Sequence, residues 1–383
     1  MRGFLPSANP IREYSINSSA SLGRLHEIAT NLPKLLLTGR VPKTIESLKR
    51  DDLAVDELIT NNFDQDLKLA MVQLSFIAHS YIWGDIKPRE SLPEVIAKPW
   101  VQVAKSLGRP PILSYASYCL DNWFLINHEE PISLDNVGLI TNFLGGVDED
   151  WFVTIHVCIE NAASDAVEAA EIISQCTSKS SEQEIENLFN QIQLSLLDVN
   201  RVFSRMTERC DPYIYYHRVR PFIFGSKDNP DLKGGLVFEN QFDNRPQFFR
   251  GETGAQSSII PSLDGALGIQ HTSDNLRHYL NEMREYMPPE HRQFIERIEE
   301  KSQVKQLVRE SQGLKDSYNE CLEQIRVFRA LHLKYADVYI NKQARRKDSS
   351  GFGGGSTITG TGGTPFMSYL KRHQDETEKQ KVH

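Results

Sequence analysis

The chain has 383 residues, of which 39% are hydrophobic and 25% charged, so it fits a globular protein and excludes collagen-like, coiled-coil and wholly disordered classes. Its net charge of −8 makes nucleic acid or an anionic membrane surface a poor candidate for its main partner. The five cysteines are scattered and include no C-x-x-C pair, which argues against a disulfide framework or a thiolate zinc site and favours a reducing compartment.

Residues 1–145 predict short helices interrupted by prolines, namely Pro99, the pair Pro110-Pro111, and Pro131. No apolar stretch of signal-peptide length opens the chain. The most apolar window, Leu67 to Trp83, is interrupted by polar residues and is too short for a membrane span. We therefore expect a buried helix at this window, in a cytoplasmic protein.

Two longer helices are predicted after a glycine pair at 145–146. The pattern over Asp148–Ile173 predicts one helix, with acidic residues in its first turn. Apolar residues that step by three or four predict another over Ser181–Met206. Ser181 followed by Glu184 is a capping box, which indicates where that helix begins.

The remaining chain predicts one short strand and two further helices. Leu236 to Phe238 is the best strand candidate, and a helix over Asn275–Met287 is ended by a proline pair. A long helix begins near Leu314 and runs to the basic cluster at 345–347. The Gly-, Ser- and Thr-rich run at 349–364 predicts a flexible loop.

These elements predict an all-α fold in two unequal parts. Residues 1–145 would form a small, mainly helical N-terminal domain that caps the rest. Residues 146–383 would form a large helical domain, including the loop at 349–364. Strand patterns are too few for a sheet-based class.

His332 occupies an apolar position of the last long helix. The same stripe carries Ile325, Phe328 and Tyr335 at helical spacing. An imidazole there is either a core histidine hydrogen-bonded to a neighbour or an axial ligand to haem, which needs a neutral imidazole in an apolar cavity. In the second case Arg329, one turn earlier, would pair with a haem propionate.

His156 lies on an apolar helix face, one turn from Phe152. It is either a packed histidine or a hydrogen-bonding group above a cofactor. The small residues that follow would let a flat ligand or another helix approach closely. The pattern alone leaves both roles open.

The segment Tyr213–Phe222 combines aromatic residues with Arg218 and Arg220. An aromatic-walled pocket with one arginine suits an aromatic acid, because rings hold the apolar part and the guanidinium binds the carboxylate. The alternative is an exposed arginine beside core aromatics. The Gly-rich run lacks the phosphate-loop pattern, and hydrolase and kinase motifs are absent, so nucleotide, hydrolase and phosphotransfer roles have no support.

Seven short segments add a further pattern: RGFLP at 2–6, LSYASYCLDNW at 113–123, GLVFE at 235–239, GETGAQSS at 251–258, LGIQ at 267–270, MREYMPPEHR at 283–292 and GTGGT at 360–364. Their number and order resemble the indoleamine 2,3-dioxygenase family of haem dioxygenases, and the resemblance covers nearly the whole chain. It implies haem b between the two domains. It also implies His332 as the proximal iron ligand, Arg329 as a propionate partner, Asp264 behind His332, and Ala255 at the haem edge.

The resemblance further implies an indole site in which Arg220 binds the substrate carboxylate. The other residues implied to contact substrate are Tyr115, Tyr118, Cys119, Phe152, Tyr215, Thr253, Gly254 and Thr361. At the position of His156 the animal enzymes carry Ser, whereas the related tryptophan 2,3-dioxygenases carry His. His156 is therefore implied to accept the indole N–H, and Tyr215 replaces a Phe usual in the family.

The implied reaction inserts both atoms of O2 across the indole C2–C3 bond of L-tryptophan to give N-formylkynurenine, the first step of the kynurenine pathway. The implied partners are L-tryptophan or a related indole, O2 and an electron donor that keeps the iron ferrous, without nucleic acid or membrane. Three alternatives stay open. They are a haem oxygenase acting on a substituted tryptophan in secondary metabolism, a haem O2-binding protein without turnover, and a cofactor-free helical interaction protein.

Overall fold

The computed structural model describes residues 2–15, 19–272, 275–344 and 366–382. They are mainly helical, which confirms the predicted all-α class. The α-helices are α1 (Ala20–Thr30), α2 (Leu32–Leu37), α3 (Val41–Glu46), α4 (Asp56–Asn61), α5 (Asp64–Trp83), α6 (Glu94–Ser106), α7 (Val147–Ala162), α8 (Ser164–Ile173), α9 (Glu182–Ser204), α10 (Pro212–Ile214), α11 (Ile259–Ala266), α12 (Asn275–Arg284), α13 (Pro289–Lys301), α14 (Val304–Glu310), α15 (Lys315–Ala336), α16 (Lys342–Ala344) and α17 (Phe366–Glu378).

Shorter elements connect these helices. The π-helical turns are Ala116–Leu120, Tyr215–Val219 and Asp337–Asn341, and the 3₁₀ turns are Met206–Glu208, Arg220–Ile223, Pro230–Leu232, Phe242–Asn244 and Gly254–Gln256. The strands are β1 (Ser91–Leu92), β2 (Trp123–Leu125), β3 (Val137–Leu139) and β4 (Val237–Phe238). β1 pairs in parallel with β4, and β2 pairs antiparallel with β3. The predicted strand at Leu236–Phe238 is therefore confirmed as β4.

The core is built around α5, which is buried along nearly its whole length, as the apolar window predicts. His79 of α5 donates from Nδ1 to the Phe222 carbonyl at 2.6 Å and accepts the Leu113 N–H at 3.2 Å. Trp83 donates from Nε1 to the Phe224 carbonyl at 3.1 Å. Burial lowers the pKa of His79 to about 4, so the neutral ring can make both bonds. α5 thus fixes the two chain segments that flank the cavity described below.

The long helix α9 confirms the prediction over Ser181–Met206. The Ser181 side chain accepts the Glu184 N–H at 3.1 Å, as the capping box predicts. Its apolar face packs against α7, α8 and α15. α9 therefore forms the centre of the second half of the molecule.

The single helix predicted over Asp148–Ile173 is wrong, because the chain forms α7 and α8 with a break at Ala163. Ser195 of α9 fills this break. Its hydroxyl donates to the Ala162 carbonyl at 2.7 Å and accepts the Ala166 N–H at 3.2 Å. A side chain from another helix thus satisfies backbone groups that a continuous helix would pair internally.

Three other predicted boundaries differ from the structure. Pro99 lies inside α6 and does not break it. The helix predicted to reach Met287 ends at Arg284, and α13 begins at Pro289. The last long helix ends as α15 at Ala336 and continues as a π-helical turn over Asp337–Asn341.

The predicted division near Gly145 stays a prediction, and hydrogen bonds from α5 and the β1–β4 pair cross it. The basic cluster at 345–347 and the loop at 349–364 lie outside the described residues. Over the part of the chain that the structure describes, every helix is too short or too polar to cross a membrane.

Candidate functional site

One cavity of about 310 Å³ lies among α7, α9, α11, α12 and α15. Most of its wall is apolar, with Ile159, Val199, Phe203 and Met206 as examples. The sequence-predicted site residues that line it are Tyr115, Phe152, His156, Tyr215, Arg220, Thr253, Gly254, Ala255, Asp264, Arg329 and His332. The fold therefore gathers these residues from separate parts of the chain into one enclosure.

His332 reaches the cavity from α15, with the ring centroids of Phe203 and Phe328 at 6.3 and 6.4 Å. Within the described residues its imidazole has no hydrogen-bond partner. Burial, and secondarily the nearby His156, lowers the pKa of His332 to about 4. At neutral pH the ring is therefore uncharged, and a nitrogen lone pair is available to an iron ion.

His156 reaches the same cavity from α7. Its Nδ1 lies 2.7 Å from the Phe152 carbonyl, which can only accept, so Nδ1 carries the proton. Burial outweighs this bond and lowers the pKa of His156 to about 4. The neutral ring therefore keeps Nε2 unprotonated, as an acceptor for an N–H group.

Arg220 is fully buried at the end of the π-helical turn Tyr215–Val219. Its guanidinium carbon lies 5.2 Å from the Tyr216 ring centroid and 4.6 Å from that of Phe224. Burial lowers the pKa of Arg220 to about 10, so it keeps its charge at neutral pH. The site thus presents a dehydrated cation in an aromatic setting.

An aromatic wall lies beside His156. Phe152 and Tyr215 stack with ring centroids 4.6 Å apart and an interplanar angle of 29°. The Tyr115 ring lies 5.8 Å from His156, edge to face. Planar groups in these arrangements favour a flat aromatic ligand.

Arg329 and Asp264 form a buried ion pair at the polar edge of the cavity. Arg329 donates from one terminal nitrogen to both Asp264 oxygens, at 2.9 and 2.6 Å, and its other terminal nitrogen bonds Thr377. Burial alone would raise the pKa of Asp264, but Arg329 and His271 outweigh it and lower that pKa to about 2. In the described residues Asp264 bonds Arg329 and His271, whereas the family resemblance implies a position behind His332. Asp264 therefore orients Arg329.

Two predicted site residues do not line the cavity, and a third lies outside the described residues. Tyr118 is fully buried behind Phe152, with ring centroids 6.1 Å apart. Cys119 is likewise buried and does not line the cavity. Thr361 lies outside the described residues. Tyr118 therefore packs behind a wall residue, and neither Tyr118 nor Cys119 lines the cavity.

Two buried carboxyl groups near the cavity escaped the sequence reasoning. Glu252 lines the cavity, and burial raises its pKa to about 8. Glu160 accepts from the Tyr115 hydroxyl at 2.9 Å and from Ser257 at 2.8 Å, and burial raises its pKa to about 7. Glu252 lies within the GETGAQSS segment, and Glu160 lies one helical turn after His156. Their positions beside predicted site residues are the sequence signal for both.

Two histidines were also overlooked at the polar edge. His271 and His373 line the cavity with ring centroids 4.5 Å apart. His271 follows α11, and His373 lies on α17. In neither segment does an apolar periodicity single out the histidine. Their proximity arises only in the folded chain.

Comparison with known proteins agrees with this geometry. A family model described as indoleamine 2,3-dioxygenase matches residues 1–380. Indoleamine 2,3-dioxygenase 1 of Rattus norvegicus is 34% identical, covering 92% of this chain and 88% of its own length. Indoleamine 2,3-dioxygenase of Saccharomyces cerevisiae is 30% identical (98% and 90%), and 6-hydroxytryptophan 2,3-dioxygenase of Fusarium equiseti is 27% identical (96% and 93%). The chain, whose cavity joins a neutral histidine to an aromatic pocket, belongs to the indoleamine 2,3-dioxygenase family.

Proposed function

We propose that this protein inserts both atoms of O2 across the indole C2–C3 bond of L-tryptophan, giving N-formylkynurenine. Family membership makes the chain a haem-dependent dioxygenase of tryptophan or related indoles. One observation carries the finer proposal. The same apolar cavity holds the neutral His332, the acceptor nitrogen of His156 and the buried cation of Arg220.

The residues of the cavity fit haem b. A planar macrocycle needs apolar walls and a neutral imidazole, and His332 supplies the imidazole without breaking a hydrogen bond within the described residues. Propionates need cations, and Arg329 lies at the polar edge. His332 would bind the iron and Arg329 a propionate, with Asp264 holding the guanidinium in place. Bound there, haem supplies a ferrous iron that binds and activates O2.

The protein residues orient the substrate. The Arg220 guanidinium would bind the carboxylate of tryptophan, since a planar fork of N–H donors matches two carboxylate oxygens. Nε2 of His156 would accept the indole N–H, because Nδ1 is already committed to the Phe152 carbonyl. These two contacts fix both ends of the amino acid and align the ring for reaction.

The aromatic wall confines the indole and excludes water. Phe152 and Tyr215 are already stacked on each other, so substrate enters a preformed surface. Tyr115 is held by Glu160, which also accepts from Ser257. These bonds cross from the segment before α7 to the GETGAQSS segment and keep the wall rigid around the ligand.

A ring-hydroxylated tryptophan is a second candidate substrate. The Fusarium equiseti relative is named for 6-hydroxytryptophan. In this chain the Glu252 carboxyl and Tyr215 lie in the cavity wall and offer polar groups to a ring hydroxyl. A panel of indoles with product mass analysis separates this substrate from tryptophan.

Two further partners complete the proposal. An electron donor is required to keep the haem iron ferrous, and O2 is the co-substrate. We also keep the cytoplasm as the proposed location. The five cysteines are all free and buried, as expected in a reducing compartment.

The decisive experiment is the absorption spectrum of the reduced protein with and without L-tryptophan, followed by product mass. A haem spectrum that responds to tryptophan, O2 consumption and a product heavier by two oxygen atoms are expected. A colourless protein would contradict the cofactor. A stable oxygenated form that leaves tryptophan unchanged would contradict the reaction.

A further inference from the structure

A cluster of ionisable side chains lies at the polar edge of the cavity, where three parts of the chain meet. His271 follows α11, whereas His373 and Glu376 lie on α17. One ligand atom from each of these three residues lies within 4.8 Å of the other two. Arg329 of α15 and Asp264 of α11 border the cluster.

The side chains in this cluster are held in defined positions. Glu376 directs Oε2 to His271 Nδ1 at 2.7 Å, while its Oε1 accepts from the backbone and hydroxyl of Thr272 at 3.2 and 2.8 Å. Nε2 of His373 is buried, and within the described residues it has no hydrogen-bond partner. A buried polar nitrogen without a partner is costly, so its presence points to a ligand.

We propose that His271, His373 and Glu376 bind a divalent transition-metal ion. Two imidazoles and one carboxylate form a donor set that suits Zn²⁺ and leaves room for a water or an anionic ligand. The orphaned nitrogen of His373 becomes a ligand atom, which accounts for its burial. This site uses ligands other than His332, although His271 and His373 line the same cavity, and metal binding to it does not require the proposed dioxygenase reaction.

A second carboxylate prepares His271 for this role. Asp264 Oδ2 lies 2.9 Å from His271 Nε2 and accepts a hydrogen bond from that N–H, so a metal ion would displace only the proton on Nδ1, which otherwise faces Glu376. Metal-ligating histidines commonly donate their other N–H to a carboxylate in this way. Arg329 in turn neutralises Asp264 through two hydrogen bonds. The ligand, its orienting carboxylate and a balancing cation are therefore all present.

The distances require only side-chain adjustment. Ligand atoms about 2.1 Å from a tetrahedral ion lie about 3.4 Å from each other. The His271–Glu376 pair, at 2.7 Å, would open around an ion, and the pairs that involve His373 lie within 4.8 Å.

A bound ion would also fasten α17 to the rest of the protein. Without an ion, the same helix is held by the His271–Glu376 bond and by Arg329, which bonds Thr377 and the His373 carbonyl. An ion-pair network that only docks the helix is therefore the competing explanation. It predicts no stoichiometric metal.

The test is Zn²⁺ binding to tag-free full-length protein, stripped with a chelator and then titrated calorimetrically, in haem-loaded and haem-free samples. We expect one Zn²⁺ per chain and a rise in unfolding temperature with Zn²⁺ concentration. His373→Ala and the nearly isosteric Glu376→Gln should each weaken binding at least tenfold, and Asp264→Asn about tenfold or more. The exposed His128→Ala is the matched control and should bind as the unmodified protein does.

Absence of stoichiometric Zn²⁺ in the unmodified protein would overturn the proposal. Unchanged affinity in Glu376→Gln would overturn it as well, and circular dichroism shows that each tested variant is folded. The haem spectrum and tryptophan turnover are measured on the same samples. Failure of the metal site and failure of the dioxygenase proposal are thereby distinguished.

Discussion

Replacing Arg220 by Met should remove the preference for substrates that carry a carboxylate. Methionine keeps an apolar side chain of comparable length in the buried position but carries no charge. The expected change is therefore in recognition of the carboxylate, with little change in recognition of the indole. Tryptophan and tryptamine, which differ by the carboxylate, report this directly.

The magnitude follows from the burial of the guanidinium. Burial lowers the pKa of Arg220 to about 10 from its ordinary value, which corresponds to about 3 kcal/mol spent on holding the charge away from water. A substrate carboxylate that pairs with this buried cation should contribute a similar amount, because truncating one partner of a buried charge pair typically costs about 2–5 kcal/mol. Loss of the pairing should reduce the preference for tryptophan over tryptamine by about a hundredfold.

The assay compares kcat/KM for the two substrates in Arg220→Met, with Arg218→Met as the control. Arg218 lies two residues earlier and is exposed, so its replacement should leave the preference unchanged. Arg220→Lys should show a preference for tryptophan between those of Arg220→Met and the unmodified protein, because lysine keeps the charge but lacks the planar fork of N–H donors. A folded Arg220→Met enzyme that still prefers tryptophan as strongly as the unmodified protein would refute the clamp.

Three other predictions concern buried histidines. His332→Ala should abolish stable haem binding, and a normal haem-to-protein ratio in the purified variant, as expected for His128→Ala, would contradict the ligand assignment. His156→Ala should lose the discrimination against 1-methyltryptophan, which has no indole N–H. The expected loss is about tenfold in relative kcat/KM, and unchanged discrimination would exclude His156 as the acceptor. Because burial lowers the pKa of His79 to about 4, its contribution to stability is full above about pH 6.5. As the pH falls toward 4 this contribution is lost, and the free energy of unfolding decreases by about 3 kcal/mol. Urea unfolding should show a shallower decline over this range in His79→Gln, and an equal decline would count against this role.

Sequence reasoning succeeded where the determinants are local. The cap at Ser181 and the apolar periodicity of α9 act over a few residues, so the helix formed as predicted. The same periodicity placed His332 on the inner face of α15, and its position in the cavity agrees. Patterns of this kind left its role open, and the family resemblance was needed to connect His332 with Arg220 and His156.

Sequence reasoning failed where distant groups decide the structure. The break at Ala163 depends on Ser195 of α9, whose hydroxyl bonds both sides of it. The cluster of His271, His373 and Glu376 joins segments about a hundred residues apart in the chain, so no local residue spacing predicts it. The π-helical turns depart from the 3.6-residue period, which is why periodicity cannot place the side chains at Tyr215–Val219.

Burial lowers the pKa of the basic groups at the site and raises the pKa of the acidic one, and the resulting charges suit the proposed reaction. It lowers the pKa values of His332 and His156 to about 4, which makes both rings neutral and supplies a lone pair for iron and an acceptor for an N–H. Arg220 also loses affinity for its proton, yet a pKa of about 10 leaves it charged at neutral pH. Glu252, whose pKa rises to about 8, is mostly protonated there and adds little negative charge beside an incoming carboxylate. A single dry environment therefore yields two neutral bases, one cation and one neutral acid, because each residue type starts from a different intrinsic pKa.

Substrate selectivity should accordingly stay constant between about pH 5 and 7, and a marked change within that interval would contradict the protonation states assigned to these four residues.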